Sequence, residues 1–154
     1  MGLMGRMFGA GKASNTMLDA QALMLAPAAF PILLANKSIR PEIEALADAC
    51  EITQCPKGMS RLAVMTKAAQ VLESIRSEGL PSVMDMMQDH LSHEQHAEAT
   101  RLALVAVMLS PARDDYDFGV LSGAAGRLGF GDVQFDQMYE TAKETILSVR
   151  GNRI

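Results

Sequence analysis

The sequence predicts an all-α protein: a single-domain bundle of about seven helices built from two related helical halves. Three observations carry this. First, Ala, Leu and Met are abundant, Trp is absent and aromatics make up 5% of the chain, a mixture that favours helices packed closely through small side chains. Second, nearly every segment carries helix start or stop signals, and no alternating run of β-branched residues marks a strand. Third, residues 102–109 (LALVAVML) are eight apolar residues in a row. That is well short of the roughly 20 needed to cross a bilayer. Ser92 and Gln95 form a capping-box pair upstream, so this run reads as the inner half of one helix, 92–110. A helix apolar on every side must be surrounded by others.

In chain order, residues 1–14 read as a loose arm, 15–150 as the helical domain and 151–154 as a tail. The arm's Gly9-Ala-Gly-Lys12 is not a phosphate loop. Arg6 stands where the first Gly is required, and Ala13 where Ser or Thr would hold Mg²⁺. Leu3, Met4, Met7 and Phe8 leave peripheral membrane contact as a weaker alternative for this arm. Helix one is expected over 15–34, capped by Asn15 or Thr16, with a kink or a junction of two helices near Ala26 because Pro27 and Pro31 fall inside it. Helix two follows Ser38 with Pro41 in its first turn, and presents Ile43, Leu46 and Cys50 on one face. Helix three spans about 60–76 with Leu62, Met65, Ala69, Leu72 and Ile75 inward, and Gly79 closes it. Pro81 opens a short fourth helix to His90. After the central fifth helix, helix six covers 115–128 and ends at Gly129. Asp132 is expected to cap helix seven, which ends near Arg150.

The chain repeats itself. Residues 34–49 lie over 109–124 without a gap, pairing Leu34 with Leu109, Glu42 with Asp117, Ile43 with Phe118 and Leu46 with Leu121. Each half is an apolar helix, a short polar loop, a carboxylate early in the next helix, then an apolar face.

This layout, with the closing turn Arg127-Leu-Gly-Phe130, resembles the TerB-like family of tellurite-resistance proteins over roughly 20–143. The resemblance implies a non-enzymatic cytoplasmic protein linked to tellurite resistance or general stress response. It also implies repeat loops whose Asp-Gly and helix carboxylates hold a divalent cation such as Ca²⁺. This chain departs from that pattern. Lys37-Ser38 occupies the first Asp-Gly position and Ser110-Pro111 the second, while Glu42 and Asp117 match the helix carboxylates. A hard cation takes six to eight oxygens, so the first loop is a poor site. Asp114, Asp115 and Asp117, with Glu42 from the first repeat, are the candidate metal residues. The competing expectation is that these acids simply complement the start of helix six. Ca²⁺ binding is therefore expected to be weak or lost.

Other signals are weaker. His93 and His96 are neighbours on a helix, but His93-Glu-Gln-His96 is one residue short of the zinc-protease motif, and solvated histidines are the expectation. Cys50 and Cys55 lack a second ligand pair and read as free thiols. Met84, Met86 and Met87 read as core fillers rather than a partner groove. The balance of 14 basic to 18 acidic side chains supplies no surplus for nucleic acid, and Asp132, Asp136 and Glu140 would repel phosphates from the helix-turn-helix outline formed by helices six and seven. There is no recognisable secretory signal or transmembrane stretch. The expected partner is another protein, with self-association open. The alternative function is a small-ligand carrier or enzyme using a pocket between the two halves.

Overall fold

The computed structural model describes residues 18–153. Among them are seven α-helices and no strand: α1 (Ala20–Leu34), α2 (Ile39–Thr53), α3 (Arg61–Glu78), α4 (Leu80–His90), α5 (His93–Leu109), α6 (Asp115–Arg127) and α7 (Asp132–Arg153). The N-terminal arm, with the rejected phosphate-loop reading and the apolar residues considered for membrane contact, lies outside the described residues. No described helix is long and apolar enough to cross a membrane.

Two helices form the centre. α5 packs against α1, α2, α6 and α7, and α1 packs against α3, α4, α5 and α6. Every α1 residue from Ala22 to Ile32 is buried. Asp19, not Asn15 or Thr16, caps this helix: its carboxylate accepts from the Ala22 amide at 2.8 Å and also pairs with Lys67 of α3. Pro27 and Pro31 do not split it in two. Each proline removes an amide and crowds the carbonyl four residues back, at about 3 kcal/mol. Four surrounding helices hold the segment helical against that cost.

α5 begins as expected. Ser92 accepts from the Gln95 amide, and the Gln95 side chain accepts from the Ser92 amide. α3 presents a different face from the expected one. Val64, Ala68, Val71, Leu72 and Ile75 are buried, while Leu62 is 74% exposed and Ala69 is exposed. The two stripes share Leu72 and Ile75 and diverge toward the helix start, where the two valines and Ala68 let α3 approach α1. Asp132 is the first residue of α7 rather than its cap. Gly131 fills that role, accepting from Phe135 N and donating to the Gln134 side chain. α7 continues through the expected tail to Arg153.

The gapless repeat maps helix onto helix. Shifting by 75 positions, which carries Leu34 onto Leu109, places α1 on α5, α2 on α6 and α3 on α7. The loops after α1 and α5 are therefore equivalent places in the two halves.

Candidate functional site

The two equivalent loops meet, and each satisfies a carboxylate of the other half. α1 ends in a Schellman turn. Asn36, at φ 53°, sits in the left-handed region that asparagine tolerates. Its amide bonds Leu33 O, and the Lys37 amide bonds Ile32 O at 2.9 Å. This turn sends the Lys37 side chain across the loop junction. Its Nζ donates to Asp117 Oδ2 at 2.6 Å and to the Ala112 carbonyl at 2.7 Å. The lysine side chain is 6% exposed and that of Asp117 is fully buried.

In the other direction, Ser110 at the end of α5 donates its hydroxyl to Glu42 Oε2 at 2.7 Å, and the same hydroxyl oxygen accepts from the Ala112 amide. Glu42 and Ser110 are both buried. The start of α6 completes the arrangement. Asp114 caps it, accepting from the Tyr116 amide at 2.8 Å, while Asp117 Oδ2 reaches back to accept from the Asp114 amide at 3.0 Å. The polar groups thus form one chain, Glu42 to Ser110 to Ala112 to Lys37 to Asp117 to Asp114, spanning both loops. Asp117 Oδ1 is enclosed and has no hydrogen-bond partner among the described residues.

The four candidate metal residues divide. Glu42 and Asp117 turn inward to serve opposite loops, Asp114 is committed to capping, and Asp115 is exposed in the first turn of α6. Among the described residues no group of three or more His, Cys, Asp or Glu side chains is placed to hold a metal ion. Lys37, which stands where the first Asp-Gly would fall, is the direct partner of the acid. Ser110, read as half of a missing Asp-Gly, is the donor that Glu42 needs. The repeat aligned the two acids but could not show that their partners cross over.

Of the two histidines expected to be solvated, His93 is exposed and His96 is not. His96 is buried with Nε2 2.7 Å from the Met87 carbonyl, a contact that makes Nε2 the donor. It ties α5 to α4. His93 is exposed and stacks on Phe130, the ring centroids 4.6 Å apart. Cys50 and Cys55 are free. Burial pushes the Cys50 thiol up to about 12 and the half-buried Cys55 thiol up to about 11, the latter also raised by nearby Glu98. Neither is an activated nucleophile. Met84 and Met87 are fully buried core residues and Met86 is partly buried against the core.

A second feature lies between the halves. The end of α2, α5 and α7 line a half-open cleft of about 270 Å³, with Leu102, Val105 and Ala142 among its apolar residues and Cys55, Glu98 and Arg101 among its polar ones. Its volume is below the usual range of drug-sized ligand pockets.

No protein-family model, curated protein sequence or solved structure matches this chain.

Proposed function

We propose that this protein is a non-enzymatic, TerB-like helical protein of the cytoplasm that serves tellurite resistance or a general stress response by binding another protein. The observation that carries the reading is the correspondence of the two halves. α1, α2 and α3 map onto α5, α6 and α7 at a single offset, and the equivalent acids Glu42 and Asp117 sit at one junction of two loops. This layout resembles that of the family, with the acidic positions kept and the Asp-Gly pairs replaced. A non-catalytic role is supported by how the buried acids are spent, each held by a fixed donor. The binding face is placed beside the crossed loops, where Leu34 at the end of α1 is 50% exposed and Tyr116 at the start of α6 is 55% exposed.

The test is survival of a tellurite-sensitive bacterial host expressing the full chain. The reading expects improved survival, lost in a Leu34→Asp, Tyr116→Asp variant that keeps its helical circular dichroism. Survival no better than an empty vector sinks the stress link, and an unchanged benefit in the variant sinks the binding face. The second reading is a small-ligand carrier, which the cavity between α2, α5 and α7 favours. A ligand that raises the melting temperature of the native chain but not of Arg101→Ala would move the assignment there.

A further inference from the structure

Glu98 and Arg101 lie three positions apart on α5, and both line the cleft between α2, α5 and α7. Opposite charges at that spacing are neighbours on a helix and commonly pair. Here neither joins an ion pair with any described residue. Arg101 is half-buried and Glu98 is exposed, so the cation is the less open to water. Both charges act at one point of the cleft: burial raises the Cys55 thiol most, Glu98 raises it further and Arg101 lowers it. Leu102, Val105 and Ala142 give the same cleft a buried apolar side. On α7 the Thr145 hydroxyl donates its proton to the Thr141 carbonyl at 2.8 Å, which leaves its oxygen free to accept. This lining selects by charge. A simple carboxylate drawn to Arg101 meets repulsion from Glu98, and a simple amine drawn to Glu98 meets it from Arg101. A ligand that carries both charges gains from both.

We propose that this cleft binds a free apolar α-amino acid, with its carboxylate on Arg101, its ammonium on Glu98 and its side chain against Leu102, Val105 and Ala142. The guanidinium fork suits a carboxylate through two N–H groups. Glu98, helped by the Thr145 oxygen, accepts from the ammonium. The half-open mouth leaves both charged ends partly in water, which keeps their desolvation cost low. Size agrees. At about 30 Å³ for each water-sized group, a cleft of about 270 Å³ has room for roughly nine non-hydrogen atoms, the size of leucine. The inference supplies a ligand class for the carrier reading of the cleft, on which it rests, and it is independent of the family resemblance.

The test is titration calorimetry of the full-length native chain at low salt with four probes: L-leucine, 4-methylpentanoate without the ammonium, 3-methylbutylamine without the carboxylate, and glycine without the apolar side chain. Leucine is expected to bind with a Kd below about 1 mM and roughly tenfold or more tightly than each of the others, a difference of about 1.4 kcal/mol. Arg101→Gln should weaken leucine about tenfold. Glu98→Gln should weaken leucine to a similar degree yet leave 4-methylpentanoate as tight as before or tighter, a split that a loss of structure would not produce. Glu98 is exposed, so this variant stays folded even if Arg101→Gln does not. Glu73→Gln, on the exposed side of α3 away from the cleft, should bind leucine like the native chain. The proposal is overturned if leucine does not bind below about 1 mM, if 4-methylpentanoate binds the native chain as tightly as leucine, or if Glu98→Gln leaves leucine binding unchanged. A ligand of another class whose binding is lost in Arg101→Ala would overturn this assignment while keeping the carrier reading.

Discussion

α2 and α6 start at equivalent places in the two halves, yet their first-turn acids are satisfied in different ways. Ser38 leads α2 without a side-chain capping bond, and Glu42 receives one hydroxyl from across the junction. Asp114 caps α6 in full, and Asp117 receives an ammonium and an amide. Glu42 keeps 7% of its surface in contact with solvent, and Asp117 keeps none. The difference shows what each depth of burial demands. A carboxylate at the rim needs a neutral donor. One that is fully enclosed needs an opposite charge, because the desolvation penalty for an unpaired ion exceeds what hydrogen bonds alone return.

The largest effect should come from breaking the charged side of this comparison. Asp117→Ala leaves the Lys37 ammonium buried with a single carbonyl, and Lys37→Ala leaves Asp117 with a single amide. Each is expected to cost about 3–5 kcal/mol in urea unfolding. Lys37→Met with Asp117→Leu should recover most of that loss. A double variant as unstable as either single one would show that the pair supplies net attraction rather than mutual neutralisation.

The neutral side should cost less. Ser110→Ala removes the only donor found for Glu42 among the described residues, at an expected cost of about 1–2 kcal/mol. A loss equal to that of Asp117→Ala would mean that Glu42 is buried as completely as its counterpart. Smaller again is Asp114→Ala, which removes the α6 cap but leaves its amide on Asp117, at about 1 kcal/mol. Ser38→Ala is expected to be nearly silent, since no side-chain capping bond exists there to lose.

The smallest effect is a control at the opposite end of α2. Cys55 lies beyond the C-terminus of that helix, and its thiol is raised from about 9 to about 11. At pH 8 its iodoacetamide reaction should be roughly a hundredfold slower than that of a free thiol, rising about tenfold per pH unit up to pH 11. The sign for stability follows. The folded chain holds this proton more tightly than the unfolded one, so the stabilisation is complete below pH 9 and is lost as pH rises from 9 through 11. Variants at the loop junction should leave the Cys55 rate unchanged. If Asp117→Ala accelerates it, the two ends of α2 are coupled and the damage is not local.

What was legible in the sequence was what is local. The capping pair Ser92 and Gln95, the stop at Gly129 and the all-helical class depend on neighbours within a few positions, and each matches the structure. The face of α3 was not legible, because Leu62 and Val64 are both apolar and only the approach of α1 decides between them. His96 is polar and looked solvated; its burial depends on where α4 ends. The site itself was half legible. The repeat set Glu42 and Asp117 in equivalent places, but residue chemistry shows that Lys37 is charged and not whom it meets 80 positions away. A loop lysine read alone is a repulsive charge for a metal. Read with its partner, it is the counter-ion of a buried acid.

The crossed contacts also bear on the order in which the chain assembles. Ser110 and Glu42 are 68 positions apart, and Lys37 and Asp117 are 80. Contacts of that separation carry the largest loop-closure entropy, and helical hairpins built from near neighbours form before them. On that ground the junction is expected to close late, together with or after the packing of α1 on α5. Interactions absent from the transition state act on escape from the native state and not on its formation. The Lys37–Asp117 pair is in that sense a latch: its loss should leave the refolding rate almost unchanged and appear nearly in full as faster unfolding, shortening the lifetime of the folded protein more than it delays its arrival.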